Sequence, residues 1–204
     1  MTHPAYTVIG AASTRALRPM WMLEELGLPY EHTSTKPHAE AVTRHYPRGK
    51  VPVLLVGDQP ITDSTAIIQY LADAQGAHTY AAGTLERARQ DAMTHCLLDE
   101  FDAVLWAAAR HSFILPEERR VAGVKESLKW EFERNQANFV KRMGEGPFVM
   151  GERFTVPDII LAHCLMWAKS AKFDITEPAL EAYQARIRSR PALAAAIQRG
   201  KAAA

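Results

Sequence analysis

The chain has 204 residues, enough for one large domain or two small ones, and its 24 lysines and arginines against 23 aspartates and glutamates leave a formal charge of +1. That balance excludes a broad field that would attract nucleic acid or an anionic membrane, so neither is expected as a partner. Two cysteines, Cys96 and Cys164, with no CxxC pair, argue against a disulfide framework or a thiol redox pair and fit a reducing cytoplasm.

The first ten residues lack a basic segment followed by an apolar run, and no stretch of about 18 apolar residues occurs, so neither a signal peptide nor a membrane span is expected. Tyr6 to Ile9 is a β-prone run that ends in the small residues Gly10, Ala11, Ala12 and Ser13. Ala16, Met20, Leu23 and Gly27 recur at helical spacing, Gly27 and Pro29 supply the stop, and Pro19 is expected to bend the helix in its second turn. Tyr30 to Thr33 reads as a strand and Lys36 to His45 as a short helix. Val51 to Val56 is the strongest strand signal; Gly57 and Asp58 predict a hairpin into a fourth strand, and Ser64 to Gln75 a helix.

Residues 76–83 lapse into small and turn residues and form the expected linker. Beyond it the periodicity is helical: one run from Thr84 to Leu115, a reset at Pro116, and a second run from Glu117 to Met143 with Val121, Val124, Leu128 and Phe132 on one face. Two shorter helices and an alanine-rich one follow. The expected organisation is an α/β domain over 1–77 and an all-α domain over 84–204.

Three segments carry candidate chemistry. Tyr46 to Leu55 contains Lys50, Val51 and Pro52 at a strand start. Asp63 and Ser64 open a helix that continues through Ile67, Ile68, Tyr70 and Leu71; a helix start offers free N–H groups and a partial positive charge, although both residues also fit a plain cap. Ser13 and Thr14 follow the first strand, either as a cap pair or as hydroxyl donors. Together these segments resemble the cytosolic glutathione transferase superfamily over essentially the whole chain. The resemblance implies a thioredoxin-like N-terminal domain, a helical C-terminal domain, and glutathione as co-substrate.

Within that resemblance the Val51–Pro52 bond is expected cis, so that the Val51 N–H and C=O pair β-fashion with the cysteinyl backbone of the tripeptide. Asp63 and Ser64 take the γ-glutamyl end, and Lys50 takes the glycyl carboxylate as a point charge. Lys36 and His38 compete for the glycyl end or are solvated surface. Ser13, 14 residues before Gly27, matches the serine-type delta, theta, phi and zeta classes and is the expected catalytic donor to the thiol. Omega-type relatives place a cysteine there; tyrosine classes need a tyrosine where this chain has Ile9, which leaves Tyr6 structural; beta-class relatives carry a cysteine where Arg15 stands. Arg15, Trp106 and Arg110 are candidates for the second-substrate pocket, and Asp99 for a contact with a neighbouring subunit.

Thr155, Pro157 and Asp158 form an expected capping box with a Phe154 and Ile159 staple, a folding feature. Adjacent His95 and Cys96, like His163 and Cys164, point to different sides of a helix, so no metal is expected. The implied activity is conjugation of glutathione to a small, largely apolar electrophile, a detoxification chemistry, by a cytoplasmic homodimer. The alternatives are a glutathione-dependent isomerase of the maleylacetoacetate type, suggested by Ser13, Thr14 and Arg15 against a Ser-Ser-Cys run, and a non-catalytic glutathione transferase-like binding protein.

Overall fold

The computed structural model describes residues 5–203. Residues 1–4 and Ala204, at the outer edges of the two expected domains, lie outside the described residues, and with them part of the segment in which no signal peptide is expected. The chain divides into two compact units: one runs to Ala81 and includes Arg188 onward, and the other is Ala82–Ile187.

The first unit holds a four-stranded sheet in the order β2-β1-β3-β4, built from β1 (Tyr6–Ile9), β2 (Glu31–Thr33), β3 (Val53–Val56) and β4 (Gln59–Thr62). β1 pairs parallel with β2 and antiparallel with β3, and β3 pairs antiparallel with β4 through the expected hairpin. Pro60 sits in β4, an edge strand, where its missing N–H costs the ladder nothing on the open side. One sheet face carries the fully buried Ile9, Val42 and Val53, with Tyr46, Val51 and Leu55 packed around them; Val42 comes from the short α2 (Glu40–Thr43). Elsewhere in this core lie α1 (Leu17–Glu25), with Met20, Trp21, Met22 and Leu23 buried, and α3 (Ser64–Gln75), with Ile67, Ile68 and Leu71 buried. The last helix, α9 (Pro191–Ala202), packs on α1. Residues 188–203, expected from sequence at the end of the helical domain, therefore group with the sheet unit.

Pro19 does not bend a second turn. The helix starts at Leu17, so Pro19 is in the first turn, where backbone donors have no intrahelical acceptor to lose.

The second unit is helical: α4 (Leu85–Leu97), α5 (Ala103–Ala109), α6 (Val124–Met143), α7 (Val156–Ser170) and α8 (Pro178–Arg188). The expected run from Thr84 to Leu115 is one helical path broken by single π-helical turns at Leu98–Asp102 and Arg110–Ile114. A π turn disturbs the backbone ladder, and here the Asn135 amide donates to the Glu100 carbonyl at 2.8 Å. Phe101, Phe132, Phe139 and Phe173 meet edge to face at 5.3–5.6 Å in the core. Val121, expected on the buried face, is 57% exposed because α6 begins only at Val124. Among the described residues no helix is long and apolar enough to cross a membrane.

Candidate functional site

Strand register gathers the candidate segments. Ile9, the last residue of β1, pairs with Val53, the first of β3, and Val53 pairs with Thr62, the last of β4. The segments at 10–13, 51–52 and 63–64 therefore leave the sheet at one end, side by side. With strands about 4.8 Å apart, the row from β1 to β4 spans about 10 Å. An extended tripeptide reaches about the same distance.

The loop after β1 is tightly tied. Gly10 N–H donates to Thr33 O and Ala11 N–H to Thr35 O, both at 3.0 Å, and His32 Nε2 donates to Gly10 O at 2.8 Å. Gly10 has φ +135°, and a Cβ there would stand 2.9 Å from Val51 Cβ; only glycine lets this loop lie against Val51. The Thr14 hydroxyl donates to Ala11 O at 2.7 Å and accepts from Ala16 N–H at 3.2 Å. Thr14 thus does the local capping work, while Ser13 is exposed and its hydroxyl has no partner among the described residues. Arg15, half-buried, follows in the same turn.

The Val51–Pro52 bond is cis, and among the described residues neither the N–H nor the C=O of Val51 has a hydrogen-bond partner. Lys50 beside it is exposed. His38, at φ +67°, donates its N–H to Gly49 O at 2.7 Å, and its ring fills the space a Cβ at Gly49 would need. Lys36 lies just beyond the end of β2.

At the start of α3, Asp63 sits at φ +72° and its Oδ1 accepts from Thr65 N–H at 2.9 Å and Ala66 N–H at 3.1 Å. Capping occupies one carboxylate oxygen, and among the described residues Oδ2 and the Ser64 N–H have no partner, so cap and ligand contact are compatible. Ser64 is 3% exposed, and its Oγ accepts from Arg18 Nη1 at 3.2 Å. That bond orients the Ser64 hydroxyl so that its own hydrogen remains available. Arg18 is 1% exposed, and burying a guanidinium is costly. Neither Arg18 nor His32 stands out in the sequence as a site residue; the signal for the first is a lone cation in a helix otherwise apolar from Leu17 to Leu23.

In the second unit Trp106 is half-buried on α5 and Arg110 is exposed at the following π turn, while Asp99 lies in the preceding one. A cavity of about 300 Å³ opens on a neighbouring face of the same helical path, between Leu105, Ala109, Phe113, Lys125 and Trp167. Neither Trp106 nor Arg110 lines it. Burial pushes the Cys96 thiol up to about 11, which leaves it neutral and structural. Among the described residues no group of three or more His, Cys, Asp or Glu side chains is arranged to hold a metal.

A thioredoxin-like sheet unit with a cis-proline strand and a capped helix, followed by a helical unit, defines the class of protein. Residues 12–74 match the family model for the glutathione S-transferase N-terminal domain. A glutathione transferase from Methylococcus capsulatus str. Bath superposes with a TM-score of 0.85 at 25% identity, covering 97% of this chain and 99% of that one. The theta class glutathione S-transferase of Xanthomonas axonopodis pv. citri, solved with glutathione bound, gives 0.80 at 25% identity over 95% and 97%. Human glutathione S-transferase theta-2B is 28% identical over 153 residues, 68% of this chain. The chain spans 60–61% of the length of the curated relatives it matches. The chain shares the fold of the glutathione S-transferases, and its residues 12–74 resemble their N-terminal domain in sequence.

Proposed function

We propose that this protein is a glutathione transferase that binds the tripeptide across the end of the sheet and ionises its thiol beside Ser13. The observation that carries this reading is the register row Ile9, Val53, Thr62, which sets the Ser13 loop, the Val51 backbone and the Asp63–Ser64 helix start side by side. In the proposal the cysteinyl backbone takes the unpaired N–H and C=O of Val51, ahead of Pro52, as a short added strand. The γ-glutamyl carboxylate accepts from the Ser64 N–H and hydroxyl, with Arg18 beneath as a source of positive charge, and the ammonium meets Asp63 Oδ2. Lys50 faces the glycyl carboxylate.

The Ser13 hydroxyl then donates to sulfur. Lowering a thiol pKa by about 2 from a reference of about 8.5 corresponds to roughly 2.7 kcal/mol and leaves most of the thiol ionised at neutral pH. The thiol proton passes to solvent, and the thiolate forms a sulfur–carbon bond to a small, largely apolar electrophile. Its leaving group departs with the bonding pair or, in an addition, the pair moves onto the adjacent atom. Arg15, Trp106 and Arg110 are assigned to the electrophile's side. The proposal extends to a cytoplasmic homodimer serving detoxification, for which light scattering gives the mass.

Thiolate absorbance of bound glutathione, titrated in the wild type and in Ser13→Ala, tests the reading. The wild type should titrate about 2 pH units below free glutathione and Ser13→Ala close to it. An unshifted wild-type thiol favours the binding-protein alternative. A screen of halogenated aromatics, epoxides, peroxides and maleyl compounds then assigns the electrophile.

A further inference from the structure

We propose that α9 is a positioning element for Ser13, acting through the seat of Gly200 on Ala12. This inference rests on the assignment of Ser13 as the donor to the glutathione thiol.

Gly200 lies inside α9 with ordinary helical backbone, so no unusual φ accounts for a glycine there. A glycine in a helix interior is disfavoured against alanine. A close approach does account for it: a Cβ at Gly200 would overlap the Ala12 methyl, with Met20 Cε 3.8 Å away. The backbone of α9 therefore rests directly on the residue before Ser13.

Two anchors, nine residues apart, fix the height of that seat. Arg190 at the start of α9 pairs with Glu25 on α1 through both guanidinium edges, Nε at 2.6 Å and Nη2 at 2.7 Å, and the Trp21 indole N–H holds the same carboxylate at 2.8 Å. Only 8% of the Glu25 side chain is exposed. At the other end Arg199 pairs with Glu24 at 3.1 Å and stacks 4.5 Å over the Tyr30 ring, whose hydroxyl donates to Glu24 at 3.0 Å. Bidentate and stacked arginines hold geometry better than flexible point charges do.

Displacement at Ala12 has a direct route to Ser13. Ala11 and Thr14 are locked together by Thr14 N–H and Oγ1 donating to Ala11 O at 2.9 and 2.7 Å, so the loop moves as a block. Among the described residues the Ser13 hydroxyl has no hydrogen-bond partner to hold it in place, and its direction is inherited from its neighbours.

The test is steric complementation. Gly200→Ala adds a methyl against Ala12; Ala12→Gly removes the opposing one. In Gly200→Ala the bound thiol pKa should rise toward that of free glutathione, and kcat should fall about tenfold with glutathione KM changed less than about twofold. Ala12→Gly alone, which empties the seat, should shift the thiol pKa in the same direction but less, and the double variant, which refills it from the α9 side, should recover wild-type values to within about threefold. An unshifted thiol pKa in folded Gly200→Ala, or a double variant as impaired as the single one, overturns the proposal. If Gly200→Ala fails to fold, Ala12→Gly against the double variant decides the same question: a double variant closer to the wild type than Ala12→Gly supports the seat, and one equal to it or more impaired refutes it. Ser13→Ala, run alongside, separates the two ideas, because an unmoved thiol there defeats the Ser13 assignment itself.

Discussion

Two helices of this protein use an aspartate to cap their first turn, Asp63 as the N-cap of α3 and Asp158 three residues after the Thr155 N-cap of α7, and the two caps are built differently. At α7, Asp158 is fully buried and its carboxylate is consumed by the protein: it accepts from Val149 N–H and Thr155 N–H at 2.8 Å each and from Tyr183 OH at 2.9 Å, within a reciprocal capping box. At α3, Asp63 is exposed, holds a positive φ that disfavours most side chains, and uses one oxygen. A cap whose acceptors are all occupied serves folding. A cap with a carboxylate oxygen open among the described residues, beside a Val51 backbone edge likewise without a partner among them, has capacity left for a ligand.

That contrast breaks if the two aspartates respond alike to substitution. Asp158→Ala strands the buried Val149 and Thr155 N–H groups and should cost about 3 kcal/mol in denaturant unfolding, with glutathione affinity of the folded fraction unchanged. The same residue carries a pH signature. Burial pushes its carboxyl up to about 6, against lowering by the hydrogen bonds from Val149, Thr155 and Tyr183. The folded state therefore binds the proton more tightly than the unfolded chain, so this group favours the fold fully below its ordinary value of 3.8 and loses that contribution as pH rises through about 6. Melting of the wild type against Asp158→Asn at pH 4.5 and 7.5 should show the difference between them shifting toward the variant at the higher pH.

Asp63→Asn is the counterpart. Asparagine caps as well as aspartate and tolerates positive φ, so stability should stay within about 0.5 kcal/mol. Glutathione affinity should fall roughly tenfold, about 1.4 kcal/mol, through loss of the charge facing the ammonium; calorimetric titration measures it. Thr155→Ala sharpens the structural side at the smallest scale, with about 1 kcal/mol of stability lost and thiol ionisation untouched.

Much of the fold was legible because local chemistry and tertiary structure agree. Val53–Val56 and Gln59–Thr62 form the expected hairpin around Gly57, and α3 runs over the residues its cap and periodicity predict, Ser64–Gln75. The cap of α7 was equally plain, since Thr155, Pro157 and Asp158 carry their own geometry. What stayed hidden depends on partners distant in sequence. Arg18 gains meaning from Ser64, 46 residues on, His32 from Gly10, and Gly200 from Ala12. Periodicity marks each as a helix or strand residue and says nothing of what it touches. The breaks in the long helical run are hidden for a related reason: a π turn keeps helical backbone angles, and the Asn135 amide that serves its open carbonyl lies on another helix.

The proposed electrophile side was the least legible. Trp106 and Arg110 belong to one helical stripe, and the cavity in the helical unit opens on another. An apolar residue that lines a pocket and one that fills a core obey the same sequence pattern.

The central claim is that glutathione bound to this chain is a thiolate at neutral pH because of Ser13. Glutathione labelled with carbon-13 at the cysteinyl β-carbon reports its ionisation by chemical shift, free of protein absorbance. Bound to the wild type, the label should titrate with a midpoint about 2 pH units below that of free glutathione, and bound to Ser13→Ala it should return to the free value. A bound midpoint equal to the free one in the wild type, or one left depressed in Ser13→Ala, would contradict the account.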